Sequence, residues 1–150
     1  MNWGDALSPH FWVQVLLVIA CSATIGLERQ LSGKPAGVRT SVLVCVGTFV
    51  FVYLSQTLPN SDPTRVLGQV VSGIGFLGAG LILSQGGLLK GVTSAAVIWV
   101  LAAIGAAVAL NRAGIATVLA GVTVMTLTGV PLLEKAALKL QKLTRSDDDE

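Results

Sequence analysis

Charge is scarce in this chain: Asp, Glu, Lys and Arg make up 12% of its 150 residues, about half the share of an ordinary soluble domain. Five long runs, 6–27, 40–61, 66–89, 91–111 and 113–133, contain none of the four. A soluble fold needs enough polar surface to meet water, so that class is excluded. The single histidine, His10, has no acid beside it, which removes histidine-based hydrolysis. No nucleophile, base and orienting group occur together, and no phosphate loop or zinc-ligand spacing is present, so no enzyme is expected. Both cysteines, Cys21 and Cys45, fall inside apolar runs as small packing residues. Val18-Ile19-Ala20-Cys21 has neither the basic lead nor the small-residue context of a processed leader. Aromatics are 5% and never interleave with bases along one face, so nucleic acid is not an expected partner.

What is present is apolar length. The five uncharged runs hold 22, 22, 24, 21 and 21 residues, and a helix needs about 20 to cross a hydrocarbon core roughly 30 Å thick. A membrane barrel would show alternating segments of about ten residues instead of continuous apolarity. The expectation is an all-α membrane protein, a bundle of about five transmembrane helices over residues 1–133, with a cytoplasmic tail over 134–150. The spans fall at about 11–28, 40–58, 64–83, 94–110 and 114–133. With the N-terminus outside, Arg29, Lys34, Arg39, Lys90, Lys135, Lys139, Lys142 and Arg145 are cytoplasmic, and only Arg65 and Arg112 are external. That asymmetry is the positive-inside pattern.

The ends of the spans carry their own signals. Ser8-Pro9 starts the first helix, with His10, Trp3, Phe11 and Trp12 as interfacial anchors. Glu28 to Thr40 gathers one acid and three bases between two apolar runs, and must lie in headgroups and water. Pro59-Asn60-Ser61-Asp62-Pro63 reads as the outer turn, with Asp62 as a helix cap. In the third span Gly68, Ser72, Gly75 and Ala79 form a small-residue stripe, expected to let a neighbouring helix approach closely. So much glycine also admits a second reading, a loosened helix offering carbonyls to an ion. Ser84-Gln85-Gly86-Gly87 ends that helix, Thr93 or Ser94 caps the fourth, and Asn111 to Gly114 turns tightly into the fifth, which ends near Pro131. Lys135, Lys139 and Lys142 make the tail basic and amphipathic, suited to anionic lipid, and Asp147 to Glu150 form an acidic, solvated end.

Three stretches resemble the MgtC/SapB family of bacterial membrane proteins. They are Glu28, Arg29, Gln30, Gly33, Lys34, Ala36, Gly37, Arg39 and Thr40; Ser72-Gly73-Ile74-Gly75-Phe76-Leu77-Gly78-Ala79-Gly80; and Gly91, Thr93, Ala95, Ala96, Trp99 and Ala102 to Gly105. The resemblance spans about residues 15 to 125. It implies a multi-pass inner-membrane protein of magnesium homeostasis, whose relatives include modulators of other membrane proteins such as the ATP synthase. Longer members add a cytoplasmic C-terminal domain, and the expectation here is a short form without one.

Two functions follow. The first is Mg²⁺ transport by a homo-oligomer, with Glu28 the candidate metal-facing carboxylate and Mg²⁺ as cargo, no bound cofactor being expected. Magnesium wants six oxygens in near-octahedral geometry, and Glu28, Gln14, Ser72 and Thr93 are a thin supply for one chain. The second is a non-transporting regulatory subunit docked on other inner-membrane proteins, in which Glu28 pairs with Arg29, Lys34 or Arg39 and holds the loop.

Overall fold

The computed structural model describes residues 8–58, 62–85 and 88–147. Five helices are long and apolar enough to cross a membrane: α1 (Pro9–Leu31), α2 (Val38–Thr57), α3 (Pro63–Leu81), α4 (Val92–Ala109) and α5 (Ala113–Asp147). The protein is therefore an all-helical multi-pass membrane protein in its body. Trp3, the turn residues Pro59 to Ser61, Gly86, Gly87 and the last three residues lie outside the described residues, as do the side chains of Lys135, Lys142 and Arg145.

Helix ends differ from the sequence reading by up to three residues in α1, α2 and α4, α1 running to Leu31 instead of 28, and two further differences change the path of the chain. The third helix stops at Leu81 instead of continuing to 83, because Ile82 turns extended and the next residues pair with one another. Strands β1 (Leu83–Gln85) and β2 (Leu88–Lys90) form an antiparallel hairpin with Leu83 opposite Lys90. Cross-strand bonds thus satisfy a backbone that no longer has helical partners. The fifth helix does not end near Pro131 but runs through it to Asp147. Proline removes one N–H from the ladder, a local loss that the turns on either side outweigh.

α4 is the central helix. Ten of its residues are buried, from Ser94 to Ala109, against two in α3, Ile74 and Gly78. It packs most extensively on α2, and also on α3, α5 and α1. Alanine and glycine make it slim, so its neighbours come close. At Gly105 a Cβ would stand 2.3 Å from the Cys45 carbonyl oxygen, so the α2 and α4 backbones touch there. At Gly26 a Cβ would stand 2.7 Å from the Val38 Cα, which closes α1 on α2.

The glycines of α3 behave differently. Gly68, Gly73, Gly75 and Gly80 have no atom of another element within 4 Å of a Cβ position, and only Gly78 meets a neighbour, Ala95. The expected close approach along Gly68, Ser72, Gly75 and Ala79 is not made among the described residues. α3 is also unbroken from Pro63 to Leu81, with the Ser72 hydroxyl donating to the Gly68 carbonyl at 3.1 Å, which removes the loosened-helix reading.

Opposite the β-hairpin, polar side chains tie the turn between α4 and α5. Asn111 adopts φ 57°, a left-handed conformation that asparagine tolerates better than most residues. Its Oδ1 accepts from Gln14 Nε2 at 3.0 Å and lies 3.0 Å from His10 Nε2. Gln14 also donates to the Val108 carbonyl at 3.0 Å, and Gln56 to the Ala109 carbonyl at 2.8 Å. His10, expected from the sequence as an interfacial anchor, is thus part of a clamp on this turn. Phe11, Phe49 and Tyr53 stack beside it, with centroids 5.3 to 5.8 Å apart. At the start of α3, Asp62 accepts from the Thr64 N–H at 2.9 Å, the expected cap.

Candidate functional site

The segment between α1 and α2 has a defined shape. Gly33 at φ 63° and Ala36 at φ 63° reverse the chain. The Lys34 N–H returns to the Arg29 carbonyl at 2.9 Å, and the buried Ser41 hydroxyl donates to the Ala36 carbonyl at 3.0 Å. Gly37 precedes α2 and lies under the Gln30 side chain.

Glu28 is committed to a base. Its Oε2 accepts from Arg29 Nε at 2.7 Å and its Oε1 from Arg29 Nη2 at 3.3 Å, with Ser32 Oγ donating to Oε1 at 2.8 Å. Adjacent helical residues point about 100° apart, so the pair forms only because the long Arg29 side chain folds back. Arg29 is 4% exposed, and its guanidinium enters the packed end of the bundle together with its counter-ion. No group of three His, Cys, Asp or Glu residues comes together among the described residues. The Glu28 oxygens thus face a guanidinium and a hydroxyl, whereas Mg²⁺ takes six oxygen donors.

Arg29 also borders a cavity of about 870 Å³ at this end of the bundle. The α1–α2 loop supplies Gly33, Lys34 and Pro35; the start of α4 supplies Gly91, Thr93 and Ser94; Lys90 ends the hairpin; and Thr126, Leu127, Val130, Pro131 and Glu134 come from α5. Gly91 holds φ 91°, and no side chain caps α4. The first N–H groups of that helix therefore have no intrahelical partner.

Of the residues singled out by sequence, Arg29, Gly33, Lys34 and Thr93 meet in this cavity. Glu28 and Gln30 stand next to it in the chain. Arg39 and Thr40 are exposed on the first turn of α2. Ser72, Gly73, Gly75, Gly78 and Gly80 lie on α3 away from it, with Gly73 facing an apolar groove of about 540 Å³ between α2 and α3. Trp99, half exposed, lines a separate apolar cavity of about 320 Å³ with Leu67, Ile115 and Arg112. Thr126 and Glu134 had no marking pattern in the sequence. Both belong to α5, whose return to the α1–α2 loop is a tertiary fact.

Comparison with known proteins rests on the same elements. A family model described as the MgtC family matches residues 15–136, from the body of α1 to α5 beyond Pro131. The chain belongs to the MgtC family. It is similar to protein MgtC of Salmonella typhimurium, 38% identical over 138 residues, covering 92% of this chain and 58% of that protein. YhiD of Escherichia coli K12, named a candidate magnesium transporter, is 44% identical over 109 residues, covering 66% and 50%. An uncharacterized protein of Synechocystis is 41% identical over 106 residues, covering 70% and 43%. The chain spans about half the length of the curated relatives it matches. No solved structure matches it.

Proposed function

We propose that this MgtC-family protein is a bacterial inner-membrane subunit that serves magnesium homeostasis by docking on other membrane proteins, and does not itself carry the ion. The observation behind this reading is the Glu28–Arg29 pair at 2.7 Å. The carboxylate at the inner end of a span is neutralised by its neighbour and stands beside a cavity lined by further bases. A cation entering there meets like charge, at a cost set by Coulomb's law in a medium less polar than water. The grooves on the outside of the bundle, between α2 and α3 and between α3 and α4, are apolar. They suit contact with another helix better than passage of an ion that sheds water reluctantly. The basic end of the bundle is cytoplasmic in this reading, following the distribution of Lys and Arg.

The second reading, transport by a homo-oligomer, draws on the name of the YhiD relative and on the unpacked glycine faces of α3, which a second copy would cover. Mg²⁺ uptake into sealed proteoliposomes separates the two, with the native chain and Glu28→Gln reconstituted at matched amounts. The expected result is no uptake above empty liposomes from protein shown to be folded. Uptake by the native chain that disappears in Glu28→Gln overturns the docking reading and establishes a carrier.

A further inference from the structure

We propose that the basic cavity between the α1–α2 loop, the start of α4 and α5 holds the phosphate group of an anionic phospholipid. This stands independently of whether the protein docks or transports, because it concerns the lipid around it.

Three observations converge. The first is charge: Arg29, Lys34 and Lys90 line the cavity against one acid, Glu134. One positive charge is left over even when Glu28, the ion-pair partner of Arg29, is counted on the acidic side. Lys34 is exposed, and its ammonium makes no ion pair among the described residues. The second is a hydroxyl on the cavity wall. Ser94 is 2% exposed overall and lines the cavity. A phosphate oxygen seated there would accept a hydrogen bond from its hydroxyl. Ser94 lies in the first turn of an 18-residue helix with no side-chain cap, whose free N–H groups and dipole add to the attraction for negative charge.

The third observation separates lipid from a free anion. The cavity is open at the end of a membrane-spanning bundle, and Leu81, Leu127, Val130 and Pro131 form part of its wall. Leu127 is buried in the core and Val130 is half exposed. A phosphate bound here thus has apolar surface from Leu81 of α3 and from Leu127, Val130 and Pro131 of α5 within the same cavity, beside the polar Thr126 and Glu134, and that apolar part suits the chains of a lipid. The volume, about 870 Å³, exceeds what a bare phosphate fills. Basic pockets between transmembrane helices at the headgroup level are a general solution for anionic lipid.

The test is lipid retention by the full chain in detergent, read by native mass spectrometry and by melting temperature. The probes are phosphatidylglycerol, phosphatidylcholine and inorganic phosphate. Phosphatidylglycerol is expected to be retained and to raise the melting temperature, with phosphatidylcholine without effect. Lys34→Gln should weaken phosphatidylglycerol retention about fivefold, one cation being worth roughly 1 kcal/mol near a headgroup. Ser94→Ala should weaken it as well, since a donor on the cavity wall is removed. Arg39→Gln, a same-end cation outside the cavity lining, should leave it unchanged. Equal retention of the two lipids, or equal losses in Lys34→Gln and Arg39→Gln, overturns the site in favour of diffuse surface attraction. Stabilisation by inorganic phosphate as strong as that by phosphatidylglycerol overturns the lipid as its source.

Discussion

Gly105 of α4 lies against the main chain of Cys45 in α2, so near that a single added methyl carbon would stand 2.3 Å from the Cys45 carbonyl oxygen and 3.1 Å from the Phe49 nitrogen. This contact joins the central helix to its most extensively packed partner. Between transmembrane helices the lipid is as apolar as the side chains, so stability comes from close packing, and a backbone-to-backbone approach gains the most dispersion.

Gly105→Ala should therefore force α2 and α4 apart and lower stability by about 1–3 kcal/mol, the usual cost of overpacking. Gly75→Ala, with no neighbour within 4 Å, should be neutral or slightly stabilising, because alanine is the better helix former by about 1 kcal/mol. Melting temperatures of the two variants in one detergent check the contrast. Equal losses would mean that α3 is covered in the detergent-solubilised protein, as by a second copy.

The clamp on the α4–α5 turn gives a second prediction. Gln14→Leu removes donors to the Val108 carbonyl and Asn111 Oδ1, but the Val108 carbonyl keeps the Asn111 N–H and the unpartnered Gln14 Oε1 is removed as well, so the loss should be about 1 kcal/mol. Asn111→Gly should cost less than Asn111→Val, because position 111 has φ 57° and a β-branched side chain is strained there. Thermal unfolding in detergent measures both.

Arg29 and Arg39 are both bases of the α1–α2 region, yet the first is buried in an ion pair and the second is exposed. Arg29→Gln should lower the yield of folded protein in membranes, because the half-buried Glu28 loses its counter-ion at a cost of about 3 kcal/mol. Arg39→Gln should leave yield unchanged. Fluorescence-detected size exclusion of membrane extracts compares them directly.

Orientation gives the last. Lys34→Cys should react with an impermeant maleimide only from the cytoplasmic side, and Arg112→Cys only from outside. The native Cys21 and Cys45 are buried and should stay unlabelled in the folded protein. Labelling of Arg112→Cys from the cytoplasmic side would invert the proposed topology.

Glu28 shows where reading the sequence stops. Its place at the end of the first span, among bases, is plain from the residues, and an ion pair is one of the two roles they admit. Which base it takes is not plain, because Arg29, Lys34 and Arg39 are all within a few residues and the loop geometry chooses. The glycines mislead for a related reason. Local density is highest in α3, but a glycine matters to packing only where another backbone arrives, and that happens at Gly26, at Gly105 and at Gly91, which meets the Leu81 carbonyl.

The sequence by itself determined five helical spans, their approximate ends and the family, because the hydrocarbon core admits only segments that satisfy their own backbone over about 20 residues. It also determined the charge asymmetry between the two ends of the bundle, since bases are excluded from the spans. Only the tertiary structure decided that α4 is the centre, that Gly105 and Gly26 are the close contacts between helices, that α5 continues past Pro131 and that Lys34, Ser94 and Glu134 border one cavity. The physical reason is that hydropathy measures each helix against lipid. Which helices meet depends on the fit between faces far apart in the chain, and among uniformly apolar surfaces that fit leaves no periodic trace.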